Sequence, residues 1–213
     1  MTIQHVAALT ELERDALGEI ANMAMGRAAN SIRKMVGHQV LLSVPAVEIL
    51  SKETAAQIVG APDNRILVAV RQDFAGAFSG RALLIFPETS SLELMRAVVG
   101  RSLSVKDIVE FQDEASAEIG NVILNSWVAT IANLLKRSLP MSLPIVLRGD
   151  GKRIFEVEDS AATFVLFLRI RFEINHFQMQ GYIALLMEVP SIVELRSLVA
   201  DFVIRITQDP DYQ

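Results

Sequence analysis

The sequence predicts an α+β fold formed by tandem duplication of a unit of helix, strand, hairpin and helix. Two observations support this prediction. A short polar motif occurs twice at an offset of 99 residues, and the same order of apolar stretches follows each copy. The chain has 213 residues and is 51% hydrophobic, which suffices for a sizeable core. We expect a single domain over residues 1–213, with pseudo-twofold symmetry between repeats at about 1–105 and 106–213.

The repeated motif is an acidic residue followed by Glu, Asn and Pro at fixed distances. Three residues lie between the acid and the Glu, two between the Glu and the Asn, and 22 between the Asn and the Pro. A Glu and an Asn at this spacing are neighbours on the surface of a helix. The first copy consists of Asp15, Glu19, Asn22 and Pro45, and the second of Glu114, Glu118, Asn121 and Pro144.

The first motif lies on a helix predicted over residues 10–37. Thr10 and Glu13 form a capping-box signature, and Gly37 stands where a helix would end. The motif occupies the face opposite the apolar stripe, together with Gly26, whose missing side chain suggests close approach of another backbone. The stripe comprises Leu17, Ile20, Ala21, Ala24, Ala28, Ile32 and Met35.

The second motif lies on a helix predicted over residues 107–137. Its polar face repeats that of the first helix, except that Asn125 takes the position of Gly26. Both helices therefore have the same spacing and polarity. The apolar stripe comprises Ile119, Ile123, Trp127, Ile131 and Leu134.

The remaining elements repeat in the same order in both halves. Each motif proline falls within a predicted strand, where proline indicates an edge or a bulge. Short turns between paired apolar stretches then predict hairpins, and polar connectors complete each half. The predicted strands are 40–50 and 138–148, the hairpins 65–74 with 78–86 and 162–174 with 177–189, the closing helices 90–100 and 191–206, and the connectors 51–64 and 149–161.

Composition restricts the classes of function. The chain lacks cysteine, which excludes disulfides and thiolate metal sites, and its three histidines have no metal-binding spacing. A net charge of −5 weighs against binding to nucleic acid. No apolar run is long enough to span a membrane, and the N-terminus lacks the layout of a signal peptide. We therefore expect a cytoplasmic protein with no cofactor or metal bound by this chain.

The chemistry of the motif suits a site completed by another molecule. A carboxylate accepts hydrogen bonds from Lys or Arg, and an Asn side chain both donates and accepts, so it can orient a water molecule. A glutamine has this role in GTPases. A single Glu–Asn pair on a helix would ordinarily be solvated surface without a role. Repetition of the whole pattern favours a functional site.

At these residues the chain resembles the CheC/CheX/FliY phosphatases of bacterial chemotaxis. The first copy matches the family signature in full. The second departs from it at Glu114, where Asp or Ser is expected. Within the family the chain is most similar to CheC, which carries two copies of the motif on a chain of this size.

The resemblance implies hydrolysis of the aspartyl phosphate of a CheY-type response regulator, whose own magnesium ion and aspartate take part. It implies that Asn22 and Asn121 orient the hydrolytic water and that Glu19 and Glu118 pair with the regulator's lysine. It also names the receptor deamidase CheD as a candidate partner. The alternative is an interaction module that binds a response regulator or CheD without catalysis.

Overall fold

The computed structural model describes residues 9–60, 66–91, 94, 105–156, 163–174 and 177–208, with the backbone alone for residues 105–110, 163 and 206. Helices and strands alternate in an α+β arrangement, as the sequence predicts. Among the described residues they are α1 (Glu11–Val36), β1 (Val40–Ser51), α2 (Lys52–Gly60), β2 (Leu67–Phe74), β3 (Gly80–Pro87), α3 (Val105–Leu134), β4 (Ile145–Gly149), α4 (Gly151–Phe155), β5 (Thr163–Ile174), β6 (Phe177–Glu188) and α5 (Val189–Gln208).

The strands form one antiparallel sheet in the order β1-β5-β6-β3-β2-β4. In the two repeats β1 corresponds to β4, β2 to β5 and β3 to β6. Exchanging these pairs reverses the strand order, which is compatible with a pseudo-twofold axis between β3 and β6. Leu83 and Ala184, equivalent at an offset of 101 residues, pair at the centre of that contact. The two edge strands each pair with a strand of the opposite half.

Helices cover both faces of the sheet. Alternating side chains of one strand therefore enter two cores: in β3, Leu84 contributes to the larger core and Leu83 to the smaller one. Helices α1, α3 and α5 pack over the larger core, and α2 and α4 over the smaller one. Within the described ranges, no helix is both long and apolar enough to cross a membrane.

Both ends of α1 follow the predicted signals. The Thr10 hydroxyl accepts from the backbone N–H of Glu13, and the Glu13 carboxylate accepts from the backbone N–H of Thr10 at 2.7 Å, which completes the capping box. Gly37 ends the helix with φ of 72°, a left-handed conformation that glycine adopts without strain. The predicted apolar stripe is buried apart from Met35, which is 46% exposed because it lies in the last turn of the helix.

Helix α3 packs closely against the sheet. A Cβ atom at Gly120 would lie 2.5 Å from the side chain of Val70 in β2, so only glycine permits this approach. Trp127 is fully buried on the same side of the helix. The residue after Gly120 is Asn121, and the tight contact therefore brings the second motif directly beside β2.

The polar connectors were predicted wrongly. Helix α2 lies within 51–64 and helix α4 within 149–161; the two pack against each other over the smaller core. Both helices are short, with one buried side, so their periodicity spans too few residues to stand out. Residues 88–91 and 94 are helical where the first closing helix is predicted, and the remainder of 90–100 lies outside the described residues.

The strand predicted over 138–148 is shorter than expected. Regular pairing begins at Ile145, directly after Pro144, and only an isolated bridge joins Met141 to Phe74. A proline has no N–H for a sheet ladder, which accounts for the late start. In the first half Pro45 lies inside β1, an edge strand, at a register shift between Ser43 and Ala46. Edge position and bulge both follow the expectation for a proline in a strand.

Candidate functional site

The first motif occupies an open face of α1. Asp15, Glu19 and Asn22 are exposed, and the adjacent Gly26 is exposed as well. A Cβ atom placed on Gly26 would meet nothing within 4 Å. No other part of the described chain therefore covers this face, and a partner can approach the helix backbone closely there.

Asn22 also has a structural contact. Its side-chain Oδ1 accepts a hydrogen bond of 3.1 Å from the backbone N–H of Val44. Val44 lies in the bulge of β1, where the sheet ladder is interrupted and a backbone donor needs another partner. The next residue, Pro45, has no backbone N–H and therefore needs no hydrogen-bond acceptor in the bulge. The fixed distance between Asn and Pro in the first copy thus follows from the contact between α1 and β1.

The bond to Val44 sets the orientation of the Asn22 amide. Only the carbonyl oxygen can accept from a backbone N–H, so the Nδ2 group must point elsewhere. Oδ1 keeps one lone pair unused, and Nδ2 has no partner among the described residues. The exposed Asn22 amide can therefore both donate to and accept from an incoming molecule.

The second motif lies on α3 but is less open. Glu114 and Glu118 are exposed, whereas Asn121 is half-buried, and Pro144 is half-buried just before β4. The neighbouring Asn125 is half-buried too. The structure thus brings the Glu and Asn of each copy to one helix face, with the two copies on separate helices.

Asn121 is held by side chains rather than by a bulged strand. Its Oδ1 accepts a hydrogen bond of 3.1 Å from Nε2 of Gln72 in β2 and a second one from Nδ2 of Asn125. Nδ2 of Asn125 also donates to the backbone carbonyl of Asn121 at 2.9 Å, and Nε2 of Gln72 to the carbonyl of Ser142 at 2.8 Å. Each donor faces two acceptors, which fixes the orientation of all three amides.

The two asparagines differ in what they can still accept. A carbonyl oxygen has two lone pairs. Those of Asn121 are both occupied by protein donors, while Asn22 retains one. The two asparagines occupy equivalent positions in the repeat, but only Asn22 can accept a further hydrogen bond from a partner.

Charged side chains of β2 and β3 form an ion-pair cluster with Glu156, the residue after α4, on the face of the sheet opposite to the second motif. Arg71 and Arg81 each contact both Asp73 and Glu156. Burial raises the pKa of Asp73, but the hydrogen bond from Arg71 and the charges of both arginines outweigh it and lower that pKa. The backbone of Asp73 also bonds Ser142 in both directions, at 2.8 and 2.9 Å, which fastens the segment before Pro144 to β2.

The arrangement offers recognition and water positioning rather than a substrate cavity. The acidic and amide side chains of the two motifs lie on helix faces, and none of them lines the open cleft of about 360 Å³ between the end of α3 and α5. A carboxylate next to an amide can bind a cation and orient a water. Reactive groups of another molecule must complete such a site.

Sequence analysis missed Gln72. It is 1% exposed and its Oε1 has no partner among the described residues. The signal was present in the strand, because alternation places Gln72 on the same face as the buried Val68, Val70 and Phe74. A polar residue at an apolar position of a strand indicates a hydrogen-bond role.

The chain is similar in sequence to known chemotaxis proteins. A model of the CheC-like family matches residues 12–49, which include the whole first motif. The CheY-P phosphatase CheC of Bacillus subtilis is 24% identical over 141 residues, covering 65% of this chain and 67% of CheC. The flagellar motor switch phosphatase FliY of the same organism is 24% identical over 146 residues, covering 68% of this chain but only 38% of FliY.

The fold is similar to those of two flagellar proteins. Thermotoga maritima FliY matches with a TM-score of 0.71 at 18% identity, over 92% of this chain and 99% of that chain. FliM in the FliG–FliM complex from H. pylori matches with a TM-score of 0.61 at 9% identity, over 89% of this chain and 100% of that chain. The family model and the two relatives support the resemblance of this chain to the CheC/CheX/FliY family, and the fold is compatible with it.

Proposed function

We propose that this protein hydrolyses the aspartyl phosphate of a CheY-type response regulator in chemotaxis signalling. One observation carries the proposal above all. Glu19 and Asn22 lie together on an exposed helix face, with the Asn22 amide oriented and its Nδ2 group free among the described residues. The relatives named as CheY-P phosphatases agree with it.

The motif glutamates would bind a lysine of the regulator, and the motif asparagines would orient a water molecule. Glu19 and Glu118 are exposed and their side chains have no partner within the described part of the chain. Each is therefore available to a lysine of the regulator's active site. Asn22 and Asn121 would orient the attacking water against the phosphoryl group, and Asp15, Pro45, Glu114 and Pro144 would support the two pairs.

Such a mechanism draws its remaining groups from the regulator. The phosphorylated aspartate and the magnesium ion belong to that partner, and this chain supplies no covalent nucleophile. Catalysis then consists of positioning and electrostatic stabilisation, which account for most of phosphoryl transfer. Because CheY-type regulators act in the cytoplasm, we propose a cytoplasmic location, with CheD as a further candidate partner.

The second candidate is an interaction module without catalysis. The similarity to FliM, found in complex with FliG, favours it because the same fold occurs in a protein assembly. Retention of both Glu and Asn in both copies favours hydrolysis. A docking module has no need for an oriented amide beside an open carboxylate.

Phosphate release decides between these candidates. Purified protein is mixed with phosphorylated CheY-type regulator, and release of inorganic phosphate is compared with the regulator's own hydrolysis. Acceleration that disappears when Asn22 and Asn121 are both replaced by Ala supports the phosphatase. Binding of the regulator without acceleration supports the interaction module.

A further inference from the structure

We infer that Gln72 is a positioning residue of the second site, which holds Asn121 in the orientation needed to act on the phosphorylated regulator. The inference rests on the proposed function and assigns a role to a residue outside the repeated motif. Gln72 belongs to β2 and reaches the motif only because α3 packs closely over that strand.

The contacts of Gln72 suit this role. Its Nε2 donates to Oδ1 of Asn121 at 3.1 Å and to the backbone carbonyl of Ser142 at 2.8 Å. The second bond anchors Gln72 to the segment that precedes Pro144. Because the Gln72 side chain is only 1% exposed, water does not compete for either hydrogen bond. Asn121 is therefore fixed to the sheet and to the segment carrying the motif proline at once.

The burial of Gln72 has a cost that packing alone does not explain. Its Oε1 is buried without a hydrogen-bond partner among the described residues, which is unfavourable for folding. An apolar residue would avoid that cost. The strand beside the first motif, β5, has apolar residues at the corresponding position. Pairing with the edge strands gives Ile170 and pairing with the central strands gives Leu168, and both are at most 2% exposed.

The strands beside the two motifs differ in the same way as the two sites do. Asn22 obtains its anchor from the N–H of Val44 in the bulge of β1, and the strand beside it carries Ile170. Asn121 obtains its anchor from Gln72. The asparagine amide is thus held by a backbone N–H at the first site and by a buried side chain at the second.

The test replaces Gln72 by Ile in two backgrounds. In the Asn22→Ala background only the second site can act, and we expect kcat for phosphate release to fall about tenfold with little change in KM, as for loss of one positioned hydrogen bond. In the Asn121→Ala background only the first site acts, and the same substitution should change kcat by less than about twofold. This background also shows that the Gln72→Ile protein is folded.

Two results would overturn the inference: an unchanged kcat in the Asn22→Ala background, or an equal loss in both backgrounds. Complete inactivity of the Asn22→Ala variant would overturn it as well, since no second site would then operate. An NMR readout separates it from the proposed function. If the parent protein releases no phosphate, the phosphatase proposal fails. A broadened or shifted side-chain amide resonance of Asn121 in the Gln72→Ile variant still supports the positioning role of Gln72. An unchanged resonance refutes that role.

Discussion

The side chain of Asn22 joins the motif helix to the bulged strand by accepting the backbone N–H of Val44 at 3.1 Å. One amide therefore combines two tasks, because its carbonyl stabilises the fold while its Nδ2 group and remaining lone pair face outward. Substitutions at Asn22 can separate the two tasks, since Asp keeps the acceptor and Ala removes it.

Replacement of Asn22 by Asp should abolish most first-site activity while preserving the contact with Val44. In the Asn121→Ala background we expect phosphate release to fall on the order of a hundredfold, because the amide donor is lost where charge develops. Thermal unfolding should stay close to that of the background. Asn22→Ala should lose the activity and also about 1 kcal/mol of stability through the unpaired Val44 N–H. Asn30→Ala, exposed on the same helix, is the control and should change neither quantity.

Asn22→Ala should reduce total activity more than Asn121→Ala does. The reason is the carbonyl of Asn121, whose lone pairs are both occupied, so that it cannot accept from a water without giving up a bond. Initial rates of phosphate release by the two single variants measure this directly. A second site equal to or faster than the first contradicts it.

Substitution of Asn125 should raise second-site activity. Loss of its Nδ2 donor frees one lone pair of Asn121 and leaves the bond from Gln72, so that Asn121 is still anchored to the sheet as Asn22 is. Loss of Gln72 differs, because the remaining bond from Asn125 ties Asn121 only to its own helix. Asn125→Gly and Asn125→Leu are compared in the Asn22→Ala background. A gain in both points to the hydrogen bond, because Leu keeps the bulk of Asn. If only Gly gives a gain, crowding of the helix face is the cause.

Loss of a motif glutamate should weaken binding of the regulator. We expect Glu19→Ala and Glu118→Ala together to raise Kd for regulator carrying a phosphoryl mimic by about tenfold, as for loss of a charge pair with a partly buried lysine. Added salt should narrow the difference from the parent protein. Glu11→Ala, exposed at the start of the same helix as Glu19, is the control and should leave Kd unchanged. Unaltered Kd in the double variant would mean that the glutamates do not bind the lysine.

Acid should remove the stabilisation contributed by Glu13. Burial raises the pKa of Glu13, but hydrogen bonds from Arg196 and Thr10 outweigh it and hold that pKa below its usual value of 4.5. A lowered pKa in the folded state stabilises the protein above the unfolded pKa and ceases to do so as pH falls through the folded pKa. Glu13→Gln should therefore lower the free energy of unfolding at pH 7 by about 1 to 3 kcal/mol, a charged hydrogen bond being lost.

The corresponding measurement is chemical denaturation of the parent and Glu13→Gln proteins between pH 7 and pH 3. The difference between their free energies of unfolding should be constant above about pH 5 and become smaller below about pH 4.5. Arg196 contacts Glu13 through two nitrogen atoms at 3.0 and 3.1 Å, so Arg196→Gln should show the same trend. A difference independent of pH would refute the assignment to the ionised carboxylate.

The sequence predicts the parts of the fold that repeat over many residues. Helix α1 with its caps, the long strands and the α+β class follow from periodicity and capping residues that act locally. Helices α2 and α4 do not, since they are too short to show a period and are stabilised by packing on each other. The motif pairs were predictable, but the link from Gln72 to Asn121 joins residues 49 positions apart and depends on how closely α3 approaches β2.

The exchange of edge strands has a consequence for how the two halves can exist. Because β1 completes the sheet beside β5 and β4 completes it beside β2, a chain cut between the repeats would leave each piece with unpaired strand edges. Separate halves should therefore be poorly soluble alone and should regain structure only on mixing. The two candidate sites, although they lie on separate helices, would then be lost together in one cooperative unfolding reaction.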